Sequence, residues 1–120
     1  MFLLEKVGLA AKAQDYAGGL SGGQRKLLEM ARALMTNPKL ILLDEPAAGV
    51  NPRLIDDICD RIITWNREEG MTFLIIEHNM DVIMSLCDRV WVLAEGQNLA
   101  DGTPAEIQSN AKVLQAYLGQ

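Results

Sequence analysis

Three places in the 120 residues combine residue types that can do chemistry on a phosphate-bearing ligand. The first is Leu20-Ser21-Gly22-Gly23-Gln24. Consecutive glycines ahead of a helix expose backbone N–H groups at the positive end of its dipole, and the Ser21 hydroxyl adds a donor to that anion site. A flexible loop with Ser21 as helix N-cap accounts for the same residues. The second is Asp44-Glu45, which follows the apolar run Leu40-Ile41-Leu42-Leu43. A carboxylate there can hold Mg²⁺, directly or through water, beside nucleotide phosphates, and its neighbour can polarise an attacking water. An acidic pair that caps a helix or faces solvent fits equally well. The third is His78, the only histidine, which follows Phe73-Leu74-Ile75-Ile76-Glu77. A lone histidine is most often structural. If the two apolar runs are parallel neighbours, however, His78 and Glu45 emerge at one edge, where an imidazole can donate to a phosphate oxygen or hold a water.

These residues need elements to carry them. Residues 2–13 are expected to form a helix, with Leu3, Val7 and Ala10 or Ala11 at helical spacing. A Gly-rich loop, 18–23, precedes a second helix to about Met35, striped by Leu27, Met30, Ala31 and Leu34, and Asn37-Pro38 stops it. The run 40–43 lacks polar alternation, as a buried parallel strand does. Asn51-Pro52 supplies an N-cap and a first helical proline, Leu54, Ile55, Ile58, Cys59, Ile62 and Ile63 form the stripe, and Gly70 ends the helix. Residues 73–76 make a second strand, Asn79 caps a short helix, and Val90-Trp91-Val92-Leu93 makes a third strand. Glu95-Gly96 turns into a fourth, at about 97–101. Thr103-Pro104-Ala105-Glu106 reads as a capping box, and a last helix covers about 111–118. Strand, helix, strand, helix, strand predicts an α/β fold of right-handed βαβ units, with the ligand edge where the first two strands end.

Composition narrows the function classes. Eleven basic against 16 acidic residues give a net charge of −5, which leaves no electrostatic footprint for nucleic acid. The longest apolar run is five residues, Val90–Ala94, against about 20 for a membrane span. The N-terminus lacks the basic start and long apolar stretch of a signal peptide. Cys59 and Cys87, both within helical patterns, read as small core residues of a reducing compartment rather than a disulfide or metal site.

A given five-residue string such as 20–24 arises by chance in on the order of one in ten thousand chains of this length. It resembles the signature motif of ABC-transporter ATP-binding (nucleotide-binding) subunits, and Arg25-Lys26 and Ala31-Arg32-Ala33-Leu34 resemble the helix next to that motif in the family. Leu40–Pro46 resembles the Walker B strand with its catalytic glutamate, Ala47–Asn51 stands at the D-loop position, and Glu77-His78-Asn79-Met80 resembles the switch-histidine segment. Residues 45–52, Ile76-Glu77-His78, Ala100–Pro104 and Tyr117-Leu118-Gly119 look like the branched-chain amino-acid importer subfamily. Many family members carry Asp where Asn51 stands, and Asn51 belongs to the same subfamily pattern.

The resemblance implies the C-terminal half of a P-loop NTPase, a RecA-like ABC ATPase domain: a parallel sheet with flanking helices plus part of the helical signature subdomain. It implies one partial domain, with residues 1–36 the helical signature part, 37–109 the α/β part from Walker B to the switch histidine, and 110–120 a C-terminal helix. By the same resemblance Asp44 would help hold the Mg²⁺ of bound ATP, through water, Glu45 would act as general base or water-polarising group, and His78 would contact the γ-phosphate and the attacking water. Ser21, Gly22 and Gly23 would grip ATP bound to a second, head-to-tail ATPase subunit, with Gln24 near that nucleotide. Integral membrane permease subunits would be the other partners, which places the chain peripherally on the cytoplasmic face of the membrane.

No G-x-x-x-x-G-K-[ST] occurs in the sequence. In complete members of the family the Walker A loop, the adenine-stacking aromatic and the Q-loop lie upstream, so the chain resembles one half of a subunit about twice as long. The family's sheet sets the Walker A strand between the strand ending at His78 and the one beginning near Val90. A chain without it is expected to show unpaired edges and exposed apolar faces, and to be inactive alone. The alternative is a non-catalytic assembly module that lends its signature motif to a complete subunit.

Overall fold

The computed structural model describes residues 1–118; Gly119, the last residue of the Tyr117-Leu118-Gly119 resemblance, and Gln120 lie outside the described residues. The chain divides into two compact units, Met1–His78 and the residues from Asn79 onward.

The first unit opens with α1, Phe2–Lys6, followed by a 3-10 turn at Ala10–Lys12. This corrects the single helix expected over 2–13. Gly8, at φ +72°, takes left-handed backbone that a continuous helix does not allow. α1 is fastened to a later helix, α3 (Pro52–Glu69), by two side chains: Lys6 pairs with Glu69, and the Arg61 guanidinium donates to the Lys6 carbonyl. Between them in sequence lies α2, Gly22–Leu34, which buries Leu27, Met30, Ala31 and Leu34 as its stripe predicts.

Strands β1 (Leu40–Asp44) and β2 (Thr72–Ile76) flank α3 in sequence and pair in parallel, from Leu40 opposite Thr72 to Asp44 opposite Ile76. Asn51 caps α3 by accepting the Leu54 N–H at 3.0 Å, and Gly70, at φ +68°, ends it. The inward face of the strand pair carries Ile41, Leu43, Phe73 and Ile75, with Phe73 stacked on Trp65 of α3 at 6.4 Å between centroids. The opposite face is apolar but uncovered: Leu42 is 67% exposed, Ile76 62%, Leu40 53% and Leu74 50%. Parallel sheets normally have both faces covered.

The second unit holds α4 (Met80–Leu86), β3 (Val90–Ala94), β4 (Gln97–Gly102), α5 (Pro104–Gln108) and α6 (Ala111–Leu118). Val90, Ile107 and Val113 form its core, with Ile83, Met84 and Leu99 packed against them. The Thr103 capping box is present, with Thr103 Oγ1 accepting from Glu106 N–H and Glu106 Oε2 from Thr103 N–H. Here the expected succession of βαβ units is corrected. β3 pairs antiparallel with β4, and among the described residues it joins no sheet with β2. Glu95 and Gly96, at φ +50° and +75°, make the tight turn that closes this hairpin locally. Trp91 and Leu93 on β3 stay 54% and 73% exposed. Cys59 is buried in α3, and Cys87 sits half-buried at the end of α4.

Candidate functional site

The parallel register ends β1 and β2 level with one another, so the residues after Asp44 and after Ile76 leave the sheet at one edge. Glu45 N–H extends the ladder by donating to the Ile76 carbonyl at 2.8 Å. The chain then turns sharply. Glu45 adopts φ +47°, Ala48 N–H returns to the Glu45 carbonyl at 3.1 Å, and Gly49 follows at φ +67°. Left-handed backbone on a residue with a side chain costs on the order of 1–3 kcal/mol and persists only where its surroundings enforce it. Here the Ile76 bond on one side and buried Pro46 on the other enforce it.

The turn brings Glu45 to His78. His78 Nδ1 lies 3.2 Å from Glu45 Oε1, joining residues 33 apart in sequence. An ionised carboxylate only accepts, so this bond requires a proton on Nδ1, and the ring's Nε2 is left to face elsewhere. The His78 and Glu45 side chains are 77% and 49% exposed, so water and solutes can reach the pair. Glu77, between β2 and His78, is half-buried and points its carboxylate back: Oε1 accepts Ala47 N–H at 2.9 Å and Oε2 accepts His78 N–H at 3.1 Å.

Asp44 is exposed at the end of β1. It borders a half-open cleft of about 280 Å³ between α2 and β1, lined also by Lys26, Glu29, Leu42 and Pro46. Among the described residues no three His, Cys, Asp or Glu side chains cluster so as to hold a metal on their own. Mg²⁺ bound together with phosphates needs only one or two protein carboxylates, and an exposed aspartate at a strand end fits that donor set.

Residues 21–24 are placed otherwise than in a loop. Gly22 and Gly23 are the first two residues of α2. Ser21 Oγ accepts Gln24 N–H at 3.1 Å, and Gln24 Oε1 accepts Ser21 N–H at 3.0 Å, a complete capping box. The N-cap account of Ser21 therefore holds, and its hydroxyl proton remains a donor. Ser21 and Gln24 bond to each other rather than to Glu45 or His78. Gly23 is buried, and a Cβ there would stand 1.8 Å from Leu54 Cδ2 and 3.6 Å from Val50 Cγ1. At Gly22 the nearest atom would be the Gly49 carbonyl oxygen, at 3.8 Å. Of the two, Gly23 is the one that packing demands, and the N-terminus of α2 abuts the loop that follows Glu45.

The structure thus brings Glu45 and His78 together, sets Asp44 beside them in sequence at the same edge, and stacks the glycine pair against residues 49–54. Glu77 has no role in the sequence pattern by itself. Its signals there are a carboxylate adjoining the lone histidine and its place in the Glu77-His78-Asn79-Met80 segment, neither of which gives it a partner.

A family profile described as ABC transporter matches residues 2–48, and one for branched-chain amino acid ATP-binding cassette transporters matches residues 97–120. The chain is 46% identical to the high-affinity branched-chain amino acid transport ATP-binding protein BraF of Pseudomonas aeruginosa, over 98% of its own length. It belongs to the ATP-binding cassette family. The cassette chain is also 40% identical to LivG of Escherichia coli, likewise over 98% of its length. It spans about half the length of these curated relatives, 46% of each. Two solved cassettes superpose on it. The ADP conformation of MJ1267 gives a TM-score of 0.89 at 42% identity, covering 99% of this chain and 48% of that one. A nucleotide-free ATP-binding cassette gives 0.90 at 41% identity with the same coverages. Among the described residues, no helix is long and apolar enough to cross a membrane.

Proposed function

We propose that this cassette chain is part of the ATP-hydrolysing subunit of an ABC importer for branched-chain amino acids. The observation that carries the reading is the Glu45–His78 pair, 3.2 Å apart and open to solvent at the carboxyl edge of a parallel strand pair. Glu45 orients and polarises the attacking water, accepting its proton. His78, its Nδ1–H donated to Glu45, turns Nε2 toward the γ-phosphate and that water: without a proton Nε2 accepts from the water, and in the imidazolium form it donates to a phosphate oxygen. Asp44 helps hold Mg²⁺ through water. When bound, Mg²⁺ would supply positive charge against the charge that develops on the phosphates. The similarity of residues 97–120 to the branched-chain cassette profile, and of the whole chain to BraF and LivG, supports the solute class.

The chain acts as a portion of that subunit and does not hydrolyse ATP alone. Its 120 residues contain no phosphate-cradling G-x-x-x-x-G-K-[ST], and the exposed leucines and isoleucine of β1 and β2 await a covering layer. In the assembled subunit the Ser21–Gln24 segment grips ATP of a second, head-to-tail cassette, residues 47–51 run across that interface, and permease subunits receive the closure at the cytoplasmic face of the membrane. The partition of the chain into residues 1–36, 37–109 and 110–120 belongs to the same proposal.

A second reading has one observation in its favour. Ser21 and Gly22 are exposed at the start of α2, available to a complete subunit even where this chain binds no nucleotide. The chain would then be a non-catalytic assembly module. Mg-ATP binding and turnover by the purified chain, with Glu45→Gln as control, test the proposal. No turnover is expected from the chain alone, whereas turnover that Glu45→Gln abolishes would overturn its dependence on a missing phosphate cradle. Capture of a complete cassette by a chain that stays inactive in every assembly would favour the second reading.

A further inference from the structure

We propose that Glu77 is a positioning residue that sets Glu45 and His78 at their working separation. This rests on reading Glu45 and His78 as the hydrolytic pair, but the geometry behind it is independent of ATP.

The Glu45 loop and the His78 segment are 33 residues apart in sequence, and their side chains meet only if two backbone turns are held together. The ladder supplies one tie, Glu45 N–H to the Ile76 carbonyl at 2.8 Å. A single tie leaves the loop free to pivot about it. Glu77 supplies the second tie. Its Oε1 accepts Ala47 N–H at 2.9 Å, two residues past Glu45, and its Oε2 accepts the N–H of His78 itself at 3.1 Å. The result is a closed circuit: Glu45, Pro46, the Ala47 amide, the Glu77 carboxylate, the His78 amide, the His78 ring and back to Glu45. The carboxylate suits the task because it offers two acceptor oxygens and no donor to two converging N–H groups, in charge-assisted bonds. A glutamine offers one acceptor and an NH₂ that would face an N–H. The Ala47 bond is part-buried and so is shielded more than the open Glu45–His78 bond. The left-handed backbone at Glu45, φ +47°, is the strain this clamp helps hold.

The test uses NMR on the full chain with Glu77→Ala and Glu77→Gln, each with and without Glu45→Gln. Amide exchange at Ala47 and His78 reads the two clamp bonds. The shift of the His78 ring proton on introducing Glu45→Gln reads whether the pair still meets. In Glu77→Ala, both amides should exchange about tenfold faster, and the ring should no longer respond to Glu45→Gln while core methyl signals stay in place. In Glu77→Gln, one of the two amides should keep its protection and the other lose it. Unchanged exchange at both amides, or a ring response as large as in the parent, overturns the proposal. If Glu77→Ala unfolds the chain, Glu77→Gln decides by the same criteria. Failure of the ATPase reading would appear instead as an assembled, ATP-binding cassette whose turnover is indifferent to Glu45→Gln while the clamp is intact.

Discussion

His78 Nδ1 sits 3.2 Å from Glu45 Oε1 because Asp44 and Ile76 end two parallel strands in register, and the chain turns left-handed immediately after the first. The contact is exposed, and exposed pairs of this kind contribute about 0–1 kcal/mol. His78→Ala should therefore change chain stability by less than about 0.5 kcal/mol in urea unfolding. In an assembled cassette it should lower kcat at least about a hundredfold, the scale of losing a positioned acid–base group. A large stability loss with kcat intact would return His78 to a structural role.

The two glycines of the signature segment should behave differently. Gly23→Ala places a methyl 1.8 Å from Leu54 Cδ2, and overpacking of this kind costs about 1–3 kcal/mol. Gly22→Ala meets only the Gly49 oxygen at 3.8 Å and should be neutral to slightly stabilising, since alanine is the better helix former. Leu54→Ala should relieve part of the Gly23→Ala penalty, which a double-mutant cycle of urea midpoints will show.

Asn51 starts α3 by accepting the Leu54 N–H at 3.0 Å. Asn51→Ala should lower stability by about 1 kcal/mol, and Asn51→Asp should stay within a few tenths because aspartate caps equally well. Equal losses in both variants would place the residue's importance outside capping.

The open face of β1 and β2 should make the isolated chain associate with itself. Leu42, at 67% exposure, and Leu74, at 50%, lie opposite one another on it. Leu42→Lys with Leu74→Lys should shift sedimentation toward monomer without lowering the unfolding midpoint.

Burial, and secondarily the Asp88 charge, push the Cys87 thiol above its ordinary value of 9.0. Its alkylation at pH 8–9 should therefore be slower in the folded chain than in urea. A thiol raised in the folded state keeps its proton longer than in the unfolded one. Its linkage contribution is thus intact below about pH 9 and is lost as pH climbs from there through the folded value. Cys87→Ala should flatten that alkaline fall in stability.

Much of this fold was legible in residue pattern. Asn51-Pro52, the stripe from Leu54 to Ile63, and Gly70 announce α3 because cap, periodicity and stop agree. The apolar runs before Asp44 and before Glu77 read as parallel strands, and that parity alone puts Glu45 and His78 at one edge. Gly8 does not stand out as a break because Leu3, Val7 and Ala10 continue the helical spacing straight through it. Glu95-Gly96 announces the turn from β3 into β4, but that β3 lies outside the β1–β2 sheet was not legible, since an apolar run says that a strand is buried and not which strand lies beside it. Gly23 and Glu77 owe their roles to residues 31 and 30 positions away, Leu54 and Ala47. One chain without its contacts carries no trace of such pairings.

If Glu45 is the water-activating carboxylate of a cassette, its amide variant should bind ATP without turning it over. The most direct measurement is Mg-ATP turnover by this chain joined to the residues of BraF that lie outside the 46% it matches, compared with the same hybrid carrying Glu45→Gln. Measurable turnover is expected in the first, and in the second intact ATP binding with turnover reduced at least about a hundredfold. A folded, ATP-binding hybrid whose turnover is indifferent to Glu45→Gln would contradict that role of Glu45.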